Sequence, residues 1–124
     1  MPEEYLALVT AMKSLTQESA MTSEPAKGLP VAEERWNTRP DVDSYGEIQL
    51  EFEADSLDGD NRKKNRAYEG SMDLYSYKKS GDGWVQLIEE VLTEHCDSCW
   101  RLDYHTHERE TGLYRWEWVF QIEG

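Results

Sequence analysis

Leu113-Tyr114-Arg115-Trp116-Glu117-Trp118-Val119-Phe120-Gln121-Ile122-Glu123 is the stretch whose reading decides the fold. Successive side chains of a strand point to opposite faces. Tyr114, Trp116, Trp118, Phe120 and Ile122 therefore fall on one face, while Arg115, Glu117, Gln121 and Glu123 mostly line the other. A large aromatic buries about 150–250 Å², so a strand over 113–123 supplies much of the core of a small domain and demands an apolar cover.

The cover is legible just upstream. Trp84, Leu87, Ile88, Val91 and Leu92 form one stripe at helical spacing, with Gln86, Glu89, Glu90 and Glu94 largely elsewhere, which predicts a helix over 84–97. Ser80-Gly81-Asp82-Gly83 precedes it as a turn with Ser80 or Asp82 as a cap. Between this helix and the aromatic strand, Trp100, Leu102, Tyr104 and Thr106 alternate with Arg101, Asp103, His105 and His107, predicting a strand over 100–107 with the first four on the apolar side. The polar turn Glu108–Gly112 then makes the last two strands an antiparallel hairpin.

Further upstream, Glu47 to Ala54 alternates strictly. Ile48, Leu50, Phe52 and Ala54 are expected on the core face, and Glu47, Gln49, Glu51 and Glu53 on the other. The segment 67–79 reads as a strand through Tyr68, Gly70, Met72 and Leu74; Tyr75 and Tyr77 then fall on its nominally outer face. Either that end is covered on both sides or a bulge shifts the register. A short strand is expected near 30–36, after Pro30. The N-terminal stretch 2–18 reads as a helix with Tyr5, Leu8, Val9, Met12 and Leu15 on its stripe and Glu3 and Glu4 in the first turn, where the helix dipole favours negative charge. Residues 19–28 read as a connector. The expected fold is thus α+β: a mixed, mainly antiparallel sheet of about five strands with two helices packed on one face, forming one domain over residues 1–124.

With 26 acidic and 13 basic residues, the chain carries a formal net charge of −13. That balance argues against nonspecific binding to phosphate backbones, which needs clustered Lys and Arg. No apolar run is long enough for a membrane span, and the acidic N-terminus lacks the basic flank of a signal peptide, so a soluble protein is expected. The one concentrated positive charge is Arg62, Lys63, Lys64 and Arg66, in the polar loop 55–66; as a contact loop it suits an acidic neighbouring surface. The row Glu47, Glu51 and Glu53 suits either a solvated sheet face or the negatively charged wall of a pore.

Cys96 and Cys99, with His95, His105 and His107, have the ligand types of a tetrahedral zinc site. A lone Cys-x-x-Cys is weak support for one, and the alternative is that the cysteines end a helix as small apolar groups while the histidines occupy the wet face of a strand. No metal or other cofactor is therefore expected. Walker, dinucleotide and serine-nucleophile patterns are absent from the sequence, and adjacent acids such as Glu89 and Glu90 arise readily in so acidic a chain, so no catalytic residues are assigned.

The order of elements resembles the tail terminator, or tail completion, proteins of long-tailed bacteriophages. The likeness lies in the short N-terminal helix, the Pro30-Val31 strand, the strand 47–54, the acidic-then-basic loop 55–66, the strand Tyr68 to Tyr77, the helix from Trp84 and the terminal hairpin. It is a likeness of layout, without signature residues. The resemblance implies a structural virion protein without catalysis, one that closes the tail tube as a ring, most often a hexamer of itself. It also implies contact with the tail tube protein and with a head-completion or connector protein, with DNA passing unbound. A connector or neck protein, or a small acidic host-directed binding protein, are the alternatives.

Overall fold

The computed structural model describes residues 3–17, 27–36, 38, 40–54 and 67–123. Among them run α1 (Glu3–Lys13), β1 (Thr16–Gln17), β2 (Lys27–Gly28), β3 (Val31–Glu33), β4 (Ser44–Ala54), β5 (Ala67–Ser76), a 3-10 turn (Gly81–Gly83), α2 (Trp84–Cys96), β6 (Trp100–His107) and β7 (Tyr114–Glu123). The fold is α+β. Five strands form one sheet in the order β3-β4-β5-β7-β6, with β3 and β4 parallel and every other pair antiparallel. None of the described helices is long and apolar enough to cross a membrane.

The aromatic strand is interior to this sheet, between β5 and β6. Trp116, Trp118, Phe120 and Ile122 are all buried, and they share one core cluster with Ile88 and Leu92 of α2 and Leu8 and Met12 of α1. Both helices therefore close the same face. The α2 stripe runs Trp84, Ile88, Leu92 and Cys96, one residue per turn, with Leu87 and Val91 half-buried beside it. Trp118 is fully buried, and its indole Nε1 donates to Glu89 Oε2 at 3.0 Å. That bond lets the helix satisfy the one polar atom of a fully buried tryptophan side chain.

Gly70 pairs with Phe120 across β5 and β7. A Cβ there would collide with the Gln49 carbonyl oxygen and stand 2.6 Å from Phe120 Cζ. Gly70→Ala is expected to destabilise the protein by about 2 kcal/mol, as overpacking does. Urea unfolding of the variant checks this, and an unchanged midpoint would contradict it.

Several boundaries and faces differ from the sequence reading. The first helix stops at Lys13 rather than 18: Ser14 Oγ donates to the Thr10 carbonyl, and Thr16–Gln17 pairs antiparallel with Lys27–Gly28. Leu15 continues the helical stripe in sequence but lies past the end of the helix, its amide donating back to the Met12 carbonyl at 3.3 Å, and is still buried. The expected connector accordingly ends in the short strand β2. Strand β3 covers only Val31–Glu33, and β5 stops at Ser76. Ser80 accepts from the Asp82 amide, capping the 3-10 turn, while Gly83 at φ 81° starts α2 with no side-chain cap.

Two bulges matter more. Between Leu50 and Phe52 the β4–β5 register slips by one residue, so Leu50 faces Gly70 but Phe52 faces Glu69 and Glu53 faces Tyr68. Since one inserted residue exchanges the two faces of a strand, the strict alternation expected over 47–54 is broken after Leu50. A second slip between Leu102 and Tyr104 does the same in β6. Beyond it, His105 and His107 stand opposite Trp116 and Tyr114 and stack on them at 4.5 and 4.1 Å, while Tyr104 and Thr106 turn to the helix-free face opposite Glu117 and Arg115. The strand 67–76 itself pairs with β7 without a break, and Tyr75 is covered on the helix-free face by stacking on Tyr45 at 5.0 Å.

Candidate functional site

The parallel pairing of β3 with β4 forces the chain between them to return along the sheet, and residues 34–36 do so over the face that lacks helices. Trp36 anchors this crossing: its amide donates to Glu47 Oε2 at 3.1 Å and its indole Nε1 to the Gly46 carbonyl at 2.9 Å. Beneath it lies a cavity of about 450 Å³ lined by Glu34, Arg35, Trp36, Glu47, Gln49, Asp73, Tyr75, Arg115 and Glu117.

The floor of this cavity follows from register. Glu47 pairs with Asp73 and Asp73 with Glu117, so three carboxylates stand side by side across β4, β5 and β7. The next row is Tyr45, Tyr75 and Arg115. Arg115 reaches back into the acidic row, 3.1 Å from Glu117 Oε2 and 3.6 Å from Asp73 Oδ2. Its guanidinium also lies 5.6 Å from the Tyr75 ring centre and 5.8 Å from that of Tyr104. One guanidinium is thus held between two aromatic rings and two carboxylates.

Asp73 is the most perturbed group here. Its side chain is only 10% exposed, and Oδ1 meets no hydrogen-bond donor among the described residues. Burial raises its pKa from 3.8 to about 7; Arg115 opposes the rise, and Glu117 and Glu47 add to it by charge, Glu117 also by a hydrogen bond. Near neutral pH the acidic row therefore exchanges a proton. Tyr75, buried beside the same groups, is pushed up to about 12, chiefly by desolvation.

Of the residues singled out from the sequence, Glu47 lines this cavity. Glu47 is half-buried, engaged by Trp36, and faces the cavity rather than a free acidic wall. The side chains of Glu51 and Glu53 lie outside what is described, as does the whole basic loop with Arg62, Lys63, Lys64 and Arg66. Cys96 is buried at the end of the α2 stripe, where desolvation first and then Cys99 and Asp97 push its thiol up to about 12; Cys99 is exposed. His95 is half-exposed on α2. Cys99 precedes β6 and His105 lies near its far end, about 20 Å away at 3.3 Å per residue. The cysteines and the two strand histidines do not converge, and no group of three or more His, Cys, Asp or Glu residues among those described is placed to hold a metal ion.

No protein-family model matches the chain, and no curated protein matches it significantly. The acidic row was missed in sequence because Glu47, Asp73 and Glu117 come from three separate strands. The available signal was Asp73 itself, an acid inside an apolar strand, next to a tyrosine on the nominally outer face.

Proposed function

We propose that this protein is a structural virion component that closes the tail tube of a long-tailed bacteriophage as a ring and forms the surface that joins the head. The observation that carries the reading is the layout: an N-terminal helix, a short strand, two long strands, a helix and a terminal hairpin, in the order of the tail terminator proteins. Each subunit offers two unlike sheet edges, the three-residue β3 and the eight-residue β6, whose side chains are mostly exposed. Unlike patches suit the head-to-tail contact that closes a ring. Edge strands are the natural place for such a contact.

In this reading the ring is a homo-oligomer, expected as a hexamer, with the tail tube protein on one side and a head-completion or connector protein on the other. It acts without catalysis and without a cofactor. The net charge of −13 suits a wall past which DNA slides without sticking. The protein resides in the virion neck and, during assembly, in the host cytoplasm.

The test is tube growth. Added in small amounts to polymerising tail tube protein of the same virion, the protein is expected to stop elongation and leave density at one tube end. Tubes of unaltered length with bare ends would contradict the reading.

A further inference from the structure

We propose that Cys96 and Cys99 are a redox-sensitive pair, closed by a small-molecule disulfide such as oxidised glutathione into an internal bond that ties the end of α2 to the start of β6. The structure holds both thiols free, Cys96 buried on the α2 stripe and Cys99 exposed. The Cys99 amide donates to the Cys96 carbonyl at 2.9 Å, which folds residues 96–99 into a tight turn. Such a turn holds its end Cα atoms less than about 7 Å apart, and a disulfide spans about 4.4–6.8 Å between Cα atoms. Asp97, at φ 52° and ψ −119°, takes the first central position of a type II′ turn, which normally falls to glycine. A residue with a side chain keeps such a backbone only where its surroundings hold it. Here they do: Cys96 is anchored in the core cluster, and the Cys99 carbonyl accepts from the Gln121 amide at 2.8 Å. The two cysteines are thus fixed near each other before any bond forms.

Beside Cys99 a cavity of about 370 Å³, lined also by Ser98, Trp100, Arg101 and Gln121, gives a small disulfide access. The Cys99 thiolate attacks one sulfur of oxidised glutathione, forming a mixed disulfide and releasing one glutathione thiolate. The Cys96 sulfur, losing its proton to solvent, then attacks the Cys99 sulfur and releases the second glutathione. Two protein thiols are oxidised, and one glutathione disulfide is reduced to two thiols. Desolvation first, then Cys99 and Asp97, pushes the Cys96 thiol up to about 12. Cys96 is therefore rarely a thiolate near neutral pH, and the second step is the slow one. A reducing cytoplasm keeps such a pair open and an oxidising exterior closes it; that timing rests on the virion reading, whereas the closure itself does not.

The test is thiol mapping on the full chain. Reduced protein, freed of reductant, is incubated with excess oxidised glutathione, alkylated, digested with trypsin without reduction and analysed by mass spectrometry. Cleavage after Lys79 and Arg101 leaves both cysteines on one peptide, 80–101. That peptide is expected to have lost two hydrogens, to carry neither glutathione nor an alkyl group, and to regain two alkylatable thiols with dithiothreitol. Cys96→Ala is expected to stop at a glutathione adduct on Cys99. In Cys99→Ser, a surface change that leaves the core alone, the buried Cys96 thiol should react at least about tenfold more slowly than Cys99 does in the unaltered chain. A lasting adduct on Cys99 beside a free Cys96, a disulfide between two chains, or two thiols still free would overturn the proposal.

Discussion

Replacing Trp118 with alanine is expected to lower stability by about 4 kcal/mol, within the usual range for a buried aromatic. Trp118 is fully buried in the inner strand β7, opposite Met72 of β5 and Leu102 of β6, and its indole is tied to α2 through Glu89. Truncation opens a large cavity between sheet and helix and leaves the Glu89 carboxylate without its donor. Small domains hold only about 5–15 kcal/mol in total, so the variant is expected to melt on the order of 15 °C lower. Val119, the next residue, lies half-buried on the opposite face, and Val119→Ala is expected to cost no more than about 1 kcal/mol. Denaturant unfolding of the two variants reads out the alternation directly. Equal losses would mean that the strand does not present one face to the helices.

Asp73→Asn is expected to abolish a pH dependence of stability that the unaltered protein shows between pH 5 and pH 8. Burial raises the folded carboxyl from 3.8 to about 7. Between those values the folded state holds a proton that the unfolded state has released. The stability due to this proton is fully present below about pH 4 and is lost as pH rises through 7. At about 1.4 kcal/mol per pH unit, the loss between pH 5 and pH 8 is about 3 kcal/mol. Asparagine cannot ionise, so the advantage of the variant should grow by that amount over the same interval. General repulsion within a chain of net charge −13 also changes with pH, but it is nearly common to both proteins and cancels in the difference. Parallel stability curves would show that Asp73 does not titrate near neutrality.

The parts of the fold legible in the sequence are those where one period runs unbroken. Trp116 to Ile122 alternates without interruption, and Trp84, Ile88 and Leu92 repeat every turn, so the aromatic strand, its covering helix and the terminal hairpin all follow from pattern. A bulge inserts one residue and leaves composition untouched. Alternation in 47–54 and 100–107 therefore predicted one face for each strand, whereas the register exchanges faces after Leu50 and again after Leu102. His105 and His107 are the clearest consequence, since they stack on Trp116 and Tyr114 respectively. The end of α1 was hidden for a different reason: Leu15 is buried although it lies past the helix, so its place in the apolar stripe does not mark where the helix stops.

The candidate site was less legible than the fold, because it is made by pairing. Nothing local in Glu47, Asp73 or Glu117 indicates that β4, β5 and β7 bring them into one row, or that Trp36 crosses over them. The zinc arrangement had the opposite character. Cys96, Cys99, His105 and His107 are close in sequence, but an extended β6 holds the two pairs apart.

Negative-stain imaging of the purified protein tests the central claim most directly. A ring subunit predicts closed particles of uniform symmetry, expected six-fold, with a central hole wide enough for duplex DNA. A field of small compact particles with no ring at any protein concentration would contradict it.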